Sequence, residues 1–256
     1  MQPSELPPEA TTARAAALVE ELRVLGSETH RAGMARFAIN IDRACGVPVP
    51  VLRAMARRIG RDHALAQALW ATGHHEARLL ACFVDDPAAV TDAQTETWVG
   101  DLDSWDLCDQ ATTSLFDRSP LAWRKAVEWT RREDLWGKRA AFSTMAGLAV
   151  HDKRAGDRAF LDLLPLIERA ATDDRNFVRK AVNWALRNIG KRNDALNVAA
   201  LACARRILDA ANARAGGPRG GDVGDRSARW VASDAIRELE RVAGRGAAMN
   251  EEVSCS

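Results

Sequence analysis

Apolar positions along the chain recur at spacings of three and four, and the strict alternation that marks half-buried strands is nearly absent. Gly, Pro and Asp punctuation cuts this pattern into about a dozen helices. The first runs from near Pro8 to Leu25 and stops at Gly26; the second covers 27–37. Cys45-Gly46-Val47-Pro48-Val49-Pro50 reads as a turn opening a helix that carries Leu52, Met55 and Ile59, with proline suited to the first helical turn. Further helices are predicted at 63–71, 74–84, 91–100, 104–117, 121–132, 134–151, 157–171, 175–190 and 194–213. The Gly-rich stretch 214–225 reads as a flexible loop, and a last amphipathic helix spans 227–242. Residues 1–245 are expected to form a single domain, followed by a disordered tail at 246–256.

Some of these helices echo one another. Lys138-Arg139-Ala140-Ala141-Phe142 aligns with Arg179-Lys180-Ala181-Val182-Asn183, and Arg139 and Lys180 are then 41 positions apart. Arg78-Leu79-Leu80-Ala81 and Arg229-Trp230-Val231-Ala232 are looser copies. A period near forty is that of HEAT-type helix pairs. The fold expected is all-α, a curved α-solenoid (superhelix) of HEAT-like helical repeats, with a concave face built by the second helix of each pair.

Composition adds limits. The chain has 256 residues, 47% hydrophobic and 28% charged, with eight Trp and no Tyr, which allows a large helical core. A net charge of +1 means that any nucleic-acid binding must rest on a local patch. The five Cys include no CxxC pair and read as reduced thiols. The N-terminus has no apolar core of the signal-peptide kind, and no apolar run approaches the ~20 residues of a membrane span. A cytoplasmic, monomeric protein without membrane association is expected. Neither a P-loop nor a dinucleotide fingerprint occurs. His151-Asp152 reads as a helix end rather than a metal site, so no metal and no cofactor are expected.

The helix at 176–192 carries candidate chemistry. At ~100° per residue, Ala181, Val182, Ala185, Leu186 and Ile189 cover one side. Lys180, Trp184, Arg187 and Lys191 line the other, which puts an indole among three cations. Such a stripe suits phosphates and a sugar or base face. The competing reading packs Trp184 against a neighbouring repeat and leaves the cations merely solvated. In 103–115, Leu107, Cys108, Ala111 and Leu115 form a core face, while Trp105 and Asp109, four residues apart, share a flank away from it. Asp109 there is either a functional carboxylate or half of a structural ion pair. In 135–150 Arg139 lies off the face of Phe142, Met145 and Ala149, where it can grip a phosphate bidentately or pair with an acid such as Asp106 or Asp109.

Ser104-Trp105-Asp106-Leu107-Cys108-Asp109, Lys138-Arg139-Ala140-Ala141 and Lys180-Ala181-Val182-Asn183-Trp184-Ala185-Leu186-Arg187, in that order, resemble the DNA alkylation repair family of AlkD-like HEAT-repeat DNA glycosylases. Gly46-Val47-Pro48 with Leu52-Arg53, and His75-Glu76-Ala77-Arg78, extend the resemblance over most of the chain. The resemblance implies double-stranded DNA containing alkylated purines as partner and hydrolysis of the glycosidic bond of N3- or N7-alkylated purines. It implies Trp105, Trp184 and Asp109 as the residues at the lesion and Arg139 and Arg187 as phosphate ligands; the stripe on 176–192 adds Lys180 and Lys191 as DNA-binding candidates. One departure stands out: Gly147 occupies a position where some relatives carry lysine.

Three functions compete at this point. A monofunctional glycosylase would release bases in an Asp109-dependent way, without lyase activity, since no activated lysine nucleophile is evident. A non-catalytic binder of damaged or branched DNA would show salt-sensitive binding alone. A protein-interaction scaffold would use the exposed Trp residues as a hot spot and ignore DNA.

Overall fold

The computed structural model describes residues 7–217 and 220–254, with side chains through 244, and every regular element in them is helical. The chain divides into two compact units, Met1–Leu121 and Ala122–Ser256. Repeated helix pairs bury their apolar faces mainly against immediate neighbours, so no single core has to run the length of the chain.

The first unit comprises α1 (Pro8–Leu25), α2 (Glu28–Arg36), α3 (Val49–Ile59), α4 (His63–Ala71), α5 (His75–Val84), α6 (Asp92–Gly100) and α7 (Trp105–Ser114). Helix α5 packs against α3, α4 and α7, with a weaker contact to α1. Its sequence explains this central place, because eight of its residues are buried, including His75 and Glu76. Trp70 and Trp98 stack with ring centroids 4.0 Å apart, filling the space between α4 and α6. Local caps set the boundaries: Asp62 accepts from the Leu65 amide at 2.9 Å, and Thr91 with Gln94 closes a capping box at α6.

Two buried polar contacts fix the start of α5. The Glu76 carboxylate is fully buried and accepts from the amides of Cys45 at 2.8 Å, Gly46 at 2.7 Å and Val47 at 3.2 Å. It thereby holds the turn that leads into α3. Gly46 is obligatory in that turn, since its φ is 80° and a Cβ would lie 2.3 Å from the Ser27 carbonyl oxygen. One residue earlier, His75 Nε2 lies 2.9 Å from Asp106 Oδ2 on α7. Burial alone would lower the His75 pKa, but the Asp106 hydrogen bond and charge outweigh it and hold the pKa above its ordinary value. Burial likewise works against the Asp106 carboxylate, and the same His75 contact keeps its pKa below the ordinary range.

The second unit comprises α8 (Ala122–Glu128), α9 (Leu135–His151), α10 (Asp157–Leu161), α11 (Leu164–Ala170), α12 (Asn176–Gly190), α13 (Asp194–Arg214) and α14 (Val223–Ser254). Helix α9 is buried along most of its length and packs extensively on α12, which also meets α13 and α14. The face expected from the helical wheel, Ala181, Val182, Ala185, Leu186 and Ile189, is fully buried. Arg192 closes the end of α9 by donating to the carbonyls of Ala149 at 2.7 Å and Asp152 at 3.0 Å. Asp152 accepts from Trp123 Nε1 at 3.0 Å, which gives His151-Asp152 a helix-end role. Gly190 permits close packing, since a Cβ there would sit 2.7 Å from Leu239 and 2.9 Å from Ala200.

Several boundaries differ from the sequence reading. The helix expected over 104–117 ends at Ser114, and Phe116–Arg118 continues as a 3-10 turn. The one expected over 121–132 likewise passes into a 3-10 turn at Trp129–Arg131. The stretch 157–171 breaks between Leu161 and Leu164 because Pro165 favours a fresh first turn over a helix interior. Helix α14 begins at Val223, within the expected loop, and its backbone continues to Ser254, past the expected end at 242. Residues 218, 219, 255 and 256 lie outside the described residues.

Two measurements probe this frame. Glu76→Gln should destabilise the first unit by about 2–3 kcal/mol, because a buried amide would face three backbone donors; urea unfolding followed by Trp fluorescence reads it. The His75–Asp106 pair sets a pH window. The raised His75 pKa gives stability that is complete below about 6.5 and lost as pH rises through the folded value. The depressed Asp106 pKa gives stability present above about 3.8 and lost on acidification. The stability gap between wild type and His75→Gln should therefore be widest at mildly acidic pH and shrink on the alkaline side. A gap constant with pH would show that the pair is not charged.

Candidate nucleic-acid interface

In the first unit, α7 brings Trp105 and Asp109 to one flank, one turn apart, and both are half-buried. Ser104 is the N-cap residue and makes no side-chain cap bond. The ring of Trp105 is fixed by its indole N–H, which donates to the Phe37 carbonyl at 2.8 Å. That bond fixes the indole at its edge. Leu107, Cys108, Ala111 and Leu115 are fully buried, so the core face of α7 agrees with the sequence. Nothing in the sequence pointed to Phe37 as the partner, since a backbone acceptor leaves no residue-type signature.

The second unit holds the remaining candidates. Arg139 on α9 is buried. It is only 5% exposed and donates to the Phe177 carbonyl at 2.6 Å, with its guanidinium 6.0 Å from the Phe177 ring. It lies off the apolar face, but α12 covers it, so its role is at least partly to hold the α9–α12 pair. Gly147 is buried in the same helix.

Along α12, Lys180 and Lys191 are exposed, and Trp184 and Arg187 are half-buried. The stripe is thus less solvated than the wheel suggested. Helix α14 packs beside it and supplies acids: Arg187 pairs with Glu238 and lies 3.6 Å from Asp234, and Lys191 also pairs with Glu238. The Lys191 hydrogen bond, followed by the Arg187 charge, holds the Glu238 carboxyl below its usual range. Asp234 and Glu238 are the acidic neighbours of this stripe that the sequence reading missed. Their i,i+4 spacing on an amphipathic helix was the available signal. Cation–π contact of Arg179 with Trp230, at 5.1 Å, marks the same α12–α14 seam.

Among the described residues, no group of three or more His, Cys, Asp or Glu is placed to hold a metal ion, and no helix is long and apolar enough to cross a membrane.

Comparison with known proteins agrees with this architecture. A solved structure described as "a new family of proteins related to the HEAT-like repeat DNA glycosylases with affinity for branched DNA structures" superposes with a TM-score of 0.67. The two share 21% identity, over 74% of this chain and 81% of that one. That likeness shows the fold, an all-α solenoid of HEAT-like repeats. No curated protein matches the chain. The family described as "DNA alkylation repair enzyme" matches residues 18–239, and the chain belongs to that family.

Proposed function

We propose that this protein binds double-stranded DNA and hydrolyses the N-glycosidic bond of cationic N3- or N7-alkylated purines. The observation that carries the reading is the pairing, on one flank of α7, of a ring-tethered Trp105 with the Asp109 carboxylate one turn later. An alkylated purine already bears positive charge, so it takes the bonding electron pair and leaves as a neutral base without protonation. Water adds to the anomeric carbon and loses its proton. The carboxylate of Asp109 orients that water and stabilises the positive charge that grows on the sugar. The indole face of Trp105 favours the same cationic sugar. Lys180, Arg187 and Lys191 are the proposed phosphate ligands, with Arg139 holding their helix in place. Nothing in this chemistry calls for a metal or a cofactor.

A second reading, DNA binding without base release, has two observations in its favour. The solved relative is described by its affinity for branched DNA. Arg187 and Lys191 are already satisfied by Glu238, which weakens their call on a lesion-specific complex.

Base release from duplex DNA carrying N7-methylguanine separates the two. Wild type should release the base, and Asp109→Asn should slow release by about 10²–10³-fold with DNA affinity retained. Binding by wild type with release no faster than the spontaneous rate would establish the second reading. In parallel, Glu238→Gln should tighten DNA binding several-fold and steepen its salt dependence, because Arg187 and Lys191 lose their internal competitor. Unchanged affinity would remove both cations from the DNA contact.

A further inference from the structure

The first unit contains a cationic cavity that the reading above does not use. Arg53, Arg57, Arg61 and Arg118 line a space of about 300 Å³ together with Phe83 and Ser114, and no lining residue is acidic. Five other arginines of the unit are paired with carboxylates. Arg14 pairs with Asp62, Arg23 with Glu20, Arg31 with Glu28, Arg58 with Glu21 and Arg78 with Asp101.

Three of the four cavity arginines, Arg53, Arg61 and Arg118, are instead braced by neutral groups. Arg53 donates to Gln110 Oε1 at 2.9 Å and lies 4.4 Å over the Phe83 ring. Arg61 donates to the carbonyls of Phe83, at 3.3 Å, and Asp85. Arg118 reaches the Ser114 carbonyl at 3.4 Å. Neutral bracing fixes direction and leaves the charge uncompensated, so the cavity concentrates positive potential. Guanidinium forks converging on one space match the oxygens of a phosphate.

The cavity is also joined to the candidate interface. Gln110, which holds Arg53, follows Asp109 directly, and Ser114 Oγ donates to the same Gln110 oxygen at 3.1 Å. Ser114 lies about 7.5 Å along the α7 axis from Asp109. That separation is roughly two base-pair rises of duplex DNA.

We propose that this four-arginine cavity binds a phosphodiester of the DNA strand a few nucleotides from the one that meets Trp105 and Asp109. It rests on the DNA-binding reading and adds to it a contact that sets register along the strand. Phosphate contacts position a protein on DNA without reading sequence, and here the contact fixes which nucleotide faces Asp109.

The test measures binding of a fluorescein-labelled duplex to the full chain by anisotropy across a salt series, with inorganic phosphate titrated calorimetrically in a second arm. Arg57→Gln/Arg118→Gln is the test variant, chosen because both side chains are exposed and make few internal bonds. The control is Arg58→Gln, which removes an equally exposed charge paired with Glu21. Circular dichroism confirms that each variant folds. The proposal expects the double variant to bind about tenfold more weakly, with the salt slope reduced by about one for each lost contact, and the control to match wild type. Equal affinity in the double variant and the control, with wild type binding DNA, overturns it. Inorganic phosphate bound in the cavity, with DNA affinity untouched by the double variant, also overturns it and leaves a free-anion site. Failure of wild type to bind any DNA overturns the DNA-binding reading itself, and this assignment with it.

Discussion

The buried carboxylate of Glu76 is the constraint on which the first unit turns. A charge fully removed from water is tolerated only when hydrogen bonds replace its hydration. Three backbone amides from 45–47 do so here. The same groups would otherwise be orphan donors at the entry to α3. Because His75, the preceding residue, grips Asp106 at the first turn of α7, two adjacent residues of α5 fix the helices on either side. The flank that carries Trp105 and Asp109 is therefore oriented by a chain of buried polar contacts as well as by apolar packing. Such contacts specify a single arrangement more sharply than interchangeable aliphatic side chains do.

How much of this was legible in the sequence depends on where each residue's partner lies. Helix existence and the buried stripe of α12 follow from periodicity, a local property, and Ala181 to Ile189 fall where the wheel puts them. Asn183 is buried beside that stripe, where the wheel did not put it. Its amide donates at 3.0 Å to the Val231 carbonyl, a partner that spacing cannot reveal. Glu76 and Gly46-Val47 were both noticed as parts of one resemblance, but their direct contact belongs to the fold. Breaks were harder to place. Pro165 was in plain view, whereas the end of α7 depends on the backbone of Leu115, at φ −131° and ψ −65°, which no residue type announces.

The candidate site shows the same division. A helical wheel identifies which residues are off the core face, and it does not say whether water or another helix meets them. Arg139 meets α12, and Arg187 and Lys191 meet α14. Trp105 and Asp109 keep their shared flank because i,i+4 spacing is a property of α7 alone. Sequence reasoning was thus dependable for pairs within one helix. It was weakest for long cationic side chains, whose reach lets them find partners on neighbouring helices.

Charge pairing bears directly on how a chain of net charge +1 would hold DNA under the proposed function. A cation already paired with a carboxylate contributes to phosphate binding only the difference between its two partners. For Arg187 and Lys191 that difference includes releasing Glu238, which is partly exposed and can rehydrate without the large penalty of a buried ion. A cation braced by a carbonyl, an amide oxygen or an aromatic ring loses little when a phosphate arrives, because those contacts are compatible with a bound anion. Arg53 and Arg61 are of this second kind. The useful electrostatic quantity is therefore the distribution of unpaired charge, not the total, and arginines held by neutral groups supply attraction that a balanced composition conceals.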